Sequence, residues 1–379
     1  MDEPTLLPPS NNENPVVADH RAALTIRGIQ ADTAAQSVMI TEYRSRLAPK
    51  TRRRHEVDLQ GFSDFLASVN VVIPVDDQEV SVLAHDPAAW DGITAGLISA
   101  FRTWMLTEGY AIGTINIRLA TVRTYARLAH LAGVIPADTY SRIRALSGYR
   151  RSEGDNLDQQ RVATDQATRI AAKKATANIL TTSQIIDLKH APWRNPTTRS
   201  EAVAARDALL VCLLVDLGLR CGEVALLRWE SLRTDLLTVA RPKVKIVQRH
   251  RLLGDVGTVL ARYQASVPVP TEPNQPLIAS FDQNGLFTRF GLAERAISKR
   301  IQQLGMLIGI ANLSPHDLRH SWATRLAQLQ VPIQALRDAG GWSNFATPGR
   351  YVAQQAIAND RIPLANDLVS ESATAEDHA

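Results

Sequence analysis

LSPHDLRHSWATRL, residues 313–326, sets His316 and Arg319 three positions apart, where they share one face of a helix. Working outward, AGGWSNFATPGRYV (residues 339–352) adds Trp342 and Tyr351. Far upstream, LGLRCGEVALLRW (217–229) adds a second arginine, Arg220, with Glu223 three positions on. Two guanidiniums, an imidazole, an indole N–H and a phenol form a set suited to attack on a phosphodiester by tyrosine. These residues sit in helical patterns, so the fold they demand is mainly helical.

Breaking a phosphodiester needs a nucleophile, a proton for the leaving oxygen, and fixed positive donors around the phosphate, the last usually contributing most. Arginine fits that donor role because its planar fork binds phosphate oxygens in pairs and keeps its charge. Arg220 and Arg319 are therefore the candidate clamp. Tyr351 follows Thr347-Pro348-Gly349, which reads as an N-cap with proline at the first helical position, placing the phenol in the first or second turn of a short helix. A free phenol titrates near pH 10, so nucleophilic attack at neutral pH requires neighbouring cations or a base. ARPKVKIV (240–247) offers Lys243 in a turn as general acid, with Lys245 as its rival. Trp342 can donate one hydrogen bond and cannot titrate. His316 and His320 have a spacing that zinc ligands use, but no third ligand of convincing spacing accompanies them, so no metal is expected. A Walker-type glycine loop is also missing, and no nucleotide is implied.

At 379 residues the chain exceeds what one core usually supports, and two domains are expected. An apolar fraction of 45% is ordinary for a globular protein, and the net charge of +4 is compatible with nucleic acid without requiring it. Charge placement says more: Arg44, Arg46, Lys50, Arg52, Arg53 and Arg54 crowd one short segment, whereas the chain's end leans acidic. Cys212 and Cys221 lie in an apolar helical run and suit a reducing, cytoplasmic setting. The amino terminus lacks a basic-then-apolar pattern, so no signal peptide is expected, and the best apolar run, Ala208 to Leu219, is short and contains Asp216, so no membrane span is expected.

Along the chain, residues 1–34 read as a flexible arm rich in Pro, Asn and Asp. Residues 35–150 read as an all-helical block, with helices opening at Ala48-Pro49, spanning Ile93 to Glu108, starting from a Thr114 cap through Ala132, and covering Ala137 to Leu146. The polar stretch 151–178 reads as a basic linker. Residues 179–379 read as a mixed domain. Its expected helices are Thr182–Lys189, Arg199–Leu217, 288–309, 315–329 and 332–338, with a hairpin of Leu236–Ala240 and Val244–Val247.

Taken jointly and in this order, the motifs resemble those of the tyrosine recombinase, or phage integrase, family. Tryptophan at 342, where most members carry histidine, and its Gly-Gly-Trp context are similar to Cre recombinase. The resemblance covers roughly residues 40–360. It implies Arg220, Lys243, His316, Arg319, Trp342 and Tyr351 as the six catalytic positions, with Glu223 and His320 supporting. The hairpin lacks the Lys-Thr-Gly-like turn usual in the family, which leaves Lys243 against Lys245 open. The implied fold is mainly α, of the α+β kind. A helical core-binding domain and a catalytic domain with a small antiparallel sheet would close as a C-shaped clamp on double-stranded DNA. The implied reaction forms a 3′-phosphotyrosine, frees a 5′ hydroxyl and passes through a Holliday junction in a homotetramer on two sites. Neither cofactor nor metal takes part.

Independently, Lys50, Arg52, Arg53 and Arg54 at a helix start, and Arg123 with Arg127 on one helix face, are candidate phosphate contacts. Arg169, Lys173 and Lys174 in the linker could track the duplex between domains. A type IB topoisomerase uses a similar residue set, but the helical block disfavours that alternative. A DNA-binding protein that has lost catalysis is disfavoured by the intact six. Beyond Tyr351, the tail keeps Val352, Ile357, Ile362, Leu364 and Leu368, too few for a core of their own, and is expected to dock on a neighbouring protomer. Residues 370–379 are expected to stay solvated.

Overall fold

The computed structural model describes residues 15–170, 177–195, 200–252, 254–282 and 284–355. The chain divides into two compact units, residues 1–173 and 174–379. Among the described residues the architecture is mostly helical, with two small antiparallel sheets, both in the second unit.

The first unit holds α1 (Pro15–Ser45), α2 (Pro49–Ser68), α3 (Ala95–Thr107), α4 (Ile112–Leu131), α5 (Ala137–Ala145) and α6 (Arg151–Ala163). Pro49 occupies the first turn of α2, where its missing N–H costs nothing. Helical spacing then turns Leu59, Phe62, Phe65 and Leu66 inward. They meet Phe101 and Met105 of α3, Val122 and Tyr125 of α4, and the fully buried Trp90. Phe62 and Phe101 rings lie 5.0 Å apart, a tilted pair typical of aromatic cores. The buried Asp58 carboxylate is satisfied by Thr121 Oγ1 at 2.9 Å and Arg54 Nε at 2.8 Å.

In the second unit, α7 (Thr182–Arg194) precedes α8 (Glu201–Val215), and α9 (Cys221–Ala225) leads into the strands β1 (Leu232–Arg233), β2 (Leu236–Arg241) and β3 (Ile246–Arg251). Then come α10 (Asp255–Ser266), β4 (Ala279–Phe281), β5 (Phe287–Gly291), α11 (Glu294–Leu307), α12 (Pro315–Gln328), α13 (Ile333–Gly340) and α14 (Ala346–Gln355). Every residue from Ala204 to Val215 in α8 is buried, making it the axis around which the unit packs. Ser200 caps its start by accepting from the Val203 N–H. The buried Asp207 on α8 is held between Arg206, at 2.7 Å, and Arg300 of α11, at 2.6 Å.

Several expected boundaries shift. Residues 15–34, expected as arm, belong to α1; residues 1–14 of that arm lie outside the described residues. α4 begins at Ile112 with Ala111 as N-cap, so Thr114 sits inside the helix. The segment 151–178 opens with the helix α6, and the division between units falls at 173/174. The second hairpin strand starts at Ile246, not Val244, because residues 242–245 form the turn and Lys245 adopts φ +53°. Arg241 pairs with Ile246 and Leu236 with Arg251. Residues 287–291, expected to open a helix at 288, form β5 against β4. The tail from residue 356, including its expected docking positions, lies outside the described residues.

Candidate active site

Helix α12 carries the core of the site. Ser314 caps it by accepting from the Asp317 N–H at 3.4 Å, while the Asp317 carboxylate accepts from the Ser314 N–H at 2.7 Å. Pro315 fills the first turn. This start fixes the helix phase and turns Arg319, 4% exposed, into the interior. One Arg319 amine donates to the Gly218 carbonyl and the other to the Gly340 carbonyl at 2.7 Å. The guanidinium also lies over the Trp342 ring, 4.6 Å from its centroid, a cation–π placement.

Gly341 ends α13 in the left-handed conformation, φ +57° and ψ +50°. A Cβ there would collide with the Arg241 guanidinium, so this turn requires glycine. The turn presents Trp342, half-buried, against Trp322 at 5.9 Å and Tyr351 at 6.0 Å between centroids. Its indole nitrogen has no hydrogen-bond partner among the described residues.

Tyr351 sits in the second turn of α14, with Thr347 and Pro348 inside the first turn, not before it. The side chain, 8% exposed, packs with Trp322, Ala323, Ala327 and Leu336 in a small cluster separate from the main core. Its hydroxyl lies 3.1 Å from His320 Nδ1, and His320 Nε2 lies 2.8 Å from His316 Nε2. Phenol and two imidazoles thus form one continuous chain along the face of α12.

Arg220 is the N-cap residue of α9. Its backbone N–H and Nη1 both donate to Glu223, at 2.9 and 2.7 Å, and Nη2 donates to the Gly341 carbonyl at 3.3 Å. Glu223 is buried and paired with Arg220 and with Arg241 Nη1 at 3.4 Å. Three glycine carbonyls (Gly218, Gly340 and Gly341) and one carboxylate therefore orient both arginines before any substrate is bound.

Burial dominates the titration of the group. Desolvation pushes Arg319 down to about 9, helped by the charges of Arg220 and Arg241 and opposed by Glu223, which still leaves it charged at neutral pH. Burial, then Arg319, hold His316 below its ordinary value; burial, then His316, do the same for His320. Burial raises Tyr351, with Arg319 and Arg350 working in the opposite sense.

His316, Arg319, His320, Trp342 and Tyr351 are thus gathered by direct contacts, and Arg220 with Glu223 joins them through the Gly340–Gly341 backbone. Lys243 and Lys245 are not in contact with them: both are exposed in the turn between β2 and β3. In the first unit Lys50, Arg52 and Arg53 are exposed in the opening turn of α2, and Arg54 is engaged by Asp58. Arg123 and Arg127 line one hollow of about 300 Å³ with Tyr140 and Arg144, and Arg123 donates to the Arg144 carbonyl at 2.8 Å. Arg169 is exposed, and Lys173 and Lys174 lie outside the described residues.

Sequence reasoning missed Arg241. It is 1% exposed and donates to the carbonyls of Gly340 (2.6 Å) and Ala339 (2.8 Å) and to Glu223. The signal was available: Leu237, Val239 and Arg241 alternate on the buried face of β2. His250 on β3, 3.3 Å from Arg241 Nη2, was missed with it.

Residues 178–357 match the Phage integrase family. The chain is similar to the tyrosine recombinase XerC of Methylobacterium sp. (strain 4-46), 32% identical over 40% of this chain and 47% of that protein. It is also similar to the tyrosine recombinase XerC of Xanthomonas campestris pv. campestris (strain B100), 26% identical over 78% of this chain and 84% of that protein. The fold resembles that of a lambda integrase tetramer bound to a Holliday junction, with TM-score 0.52, 16% identity, and 86% of this chain and 78% of that chain covered.

Proposed function

We propose, from the match of residues 178–357 to the Phage integrase family and the likeness to XerC tyrosine recombinases, that this chain is a tyrosine recombinase. In this reading it is a site-specific DNA recombinase. Tyr351 attacks a scissile phosphate, forms a 3′-phosphotyrosine and releases a 5′ hydroxyl, and a partner strand's hydroxyl reverses the step. The phosphodiester energy is kept in the covalent link, so this chain's residues need only position, stabilise and move protons.

The observation that carries the reading is that Arg220 and Arg319 are anchored on the adjacent carbonyls of Gly341 and Gly340, with Arg319 over the Trp342 ring and that ring packed on the ring of Tyr351. Arg220 and Arg319 are assigned the nonbridging phosphate oxygens, each anchored on carbonyl acceptors so that its remaining N–H groups can form a fork. Trp342 is assigned one phosphate oxygen through its indole N–H, and His316 sits on the same face. Lys243 is assigned the leaving oxygen. Its turn between β2 and β3 is exposed, which suits a side chain that reaches substrate. Glu223 supports Arg220. Lys50, Arg52, Arg53, Arg127 and Arg169 are assigned backbone phosphates. A homotetramer on two sites, working through a Holliday junction, is the assembly that fits the family.

The test is covalent capture. Wild-type protein denatured on host genomic DNA should retain DNA fragments whose attachment points define a site, and Tyr351→Phe should retain none while still binding DNA. Adducts that persist with the phenylalanine variant overturn the assignment of the nucleophile.

A further inference from the structure

We propose that His320 is a catalytic residue in its own right: its Nδ1 takes the Tyr351 proton as the phenol attacks. The inference rests on the recombinase reading above. The geometry carries it: the Tyr351 hydroxyl meets Nδ1 at 3.1 Å, whereas His316, the histidine of the family motif, meets His320 and not the phenol. The arrangement has the three parts of an activated nucleophile: a hydroxyl, a base within hydrogen-bond reach, and a third group that orients the base. The 2.8 Å contact between His320 Nε2 and His316 Nε2 is assigned with His320 as donor, the tautomer that leaves Nδ1 unprotonated and open to the phenol. The ring pairings agree, with His320 edge-on to Tyr351 at 5.3 Å and to His316 at 4.3 Å.

The charged and titratable groups facing His320 are His316, Asp317 and Arg319 from α12 and Tyr351 from α14. Burial, His316 and Arg319 keep the imidazole neutral at physiological pH, and Asp317 opposes them without reversing the direction. In the step itself the Tyr351 oxygen–phosphorus bond forms as the phosphorus–O5′ bond breaks. The phenol proton moves to His320 Nδ1, giving an imidazolium whose Nε2–H stays on His316. The leaving oxygen takes its proton from Lys243. Religation returns both protons, so His320 ends each cycle neutral.

Two measurements test this. Nitrogen-15 spectra of the histidines in the full-length protein should show His320 protonated at Nε2 and bare at Nδ1; a proton on Nδ1 overturns the proposal without any DNA. Single-turnover cleavage is then followed on a nicked duplex carrying the sequence captured with wild-type protein. His320→Asn keeps an acceptor in the place of Nδ1 but cannot take a proton. Cleavage by both His320→Asn and His320→Ala should fall by about 10²-fold or more, with DNA affinity and melting temperature unchanged. The acid limb of the wild-type pH–rate profile should vanish in both. An asparagine variant that cleaves at the wild-type rate overturns proton transfer and reduces His320 to a positioning residue. Wild-type protein that captures no DNA overturns the recombinase reading itself, a failure separable from the other two.

Discussion

Arg241 donates to the Gly340 carbonyl at 2.6 Å and so ties the end of β2, two residues before Lys243, to the turn that presents Trp342. The same guanidinium reaches Glu223, which orients Arg220. One buried cation therefore links three separate stretches of the candidate site.

Replacing Arg241 with methionine leaves Glu223 short of a partner and two carbonyls unsatisfied in a buried place. The expected cost is about 3–5 kcal/mol of stability. Arg241→Lys restores the charge but not the fork, and should recover stability more than cleavage. Denaturant unfolding and single-turnover cleavage, measured on both variants, check the split.

Gly341→Ala forces a side chain into a left-handed backbone and into the Arg241 guanidinium. The expected loss is about 1–3 kcal/mol, accompanied by a displaced Trp342. Tryptophan fluorescence together with thermal melting reads both effects.

Trp342→His should keep far more activity than Trp342→Ala, since an imidazole can also donate to a phosphate oxygen. The alanine variant additionally leaves a cavity beside Trp322 and Tyr351. Equal cleavage rates for the two variants would show that the indole only packs.

Arg52→Ala combined with Arg53→Ala should weaken DNA binding about equally on all sequences and flatten its salt dependence, because these exposed groups are assigned phosphates. Titrations at several salt concentrations give the slope. An unchanged slope would mean that the opening turn of α2 faces solvent.

Acidification should destabilise the second unit. His250, His316 and His320 are all held below 6.5, mainly by burial, so the unfolded chain binds protons that the folded chain refuses. Stability is then constant above 6.5 and declines as pH falls through that value toward the lower folded pKa values. His250→Gln should shallow this decline, which melting temperatures across the range would record.

The sequence made the site legible wherever residue type and spacing alone define the chemistry. His316, Arg319, Trp342 and Tyr351 lie close together in the chain, and helical periodicity brings them to one place. Arg220 and Glu223 share a cap. Arg241 escaped because a buried arginine looks like any turn cation until strand alternation is followed to its last position. The register of β3 escaped because IVQRHR has no apolar face to fix it and most of its residues are exposed. α1 escaped for a related reason. Among its described side chains Ile40, with Met39 and Tyr43, joins the core, while Leu24, Ile26 and Ile29 stay exposed, so no stripe marked it. Phe287–Gly291 was mistaken for helix because FTRFG is too short and too exposed to declare its period.

The small cluster that holds Tyr351 has a consequence for motion. α14 leans on Trp322, Ala323, Ala327 and Leu336, not on the main core around α8. Such a satellite can detach without melting the unit, so amide hydrogens of α14 exchange through a local opening while those of α8 wait for global unfolding. The nucleophile thus rides on an element that is cheap to release, and Arg220 awaits it beside the main core.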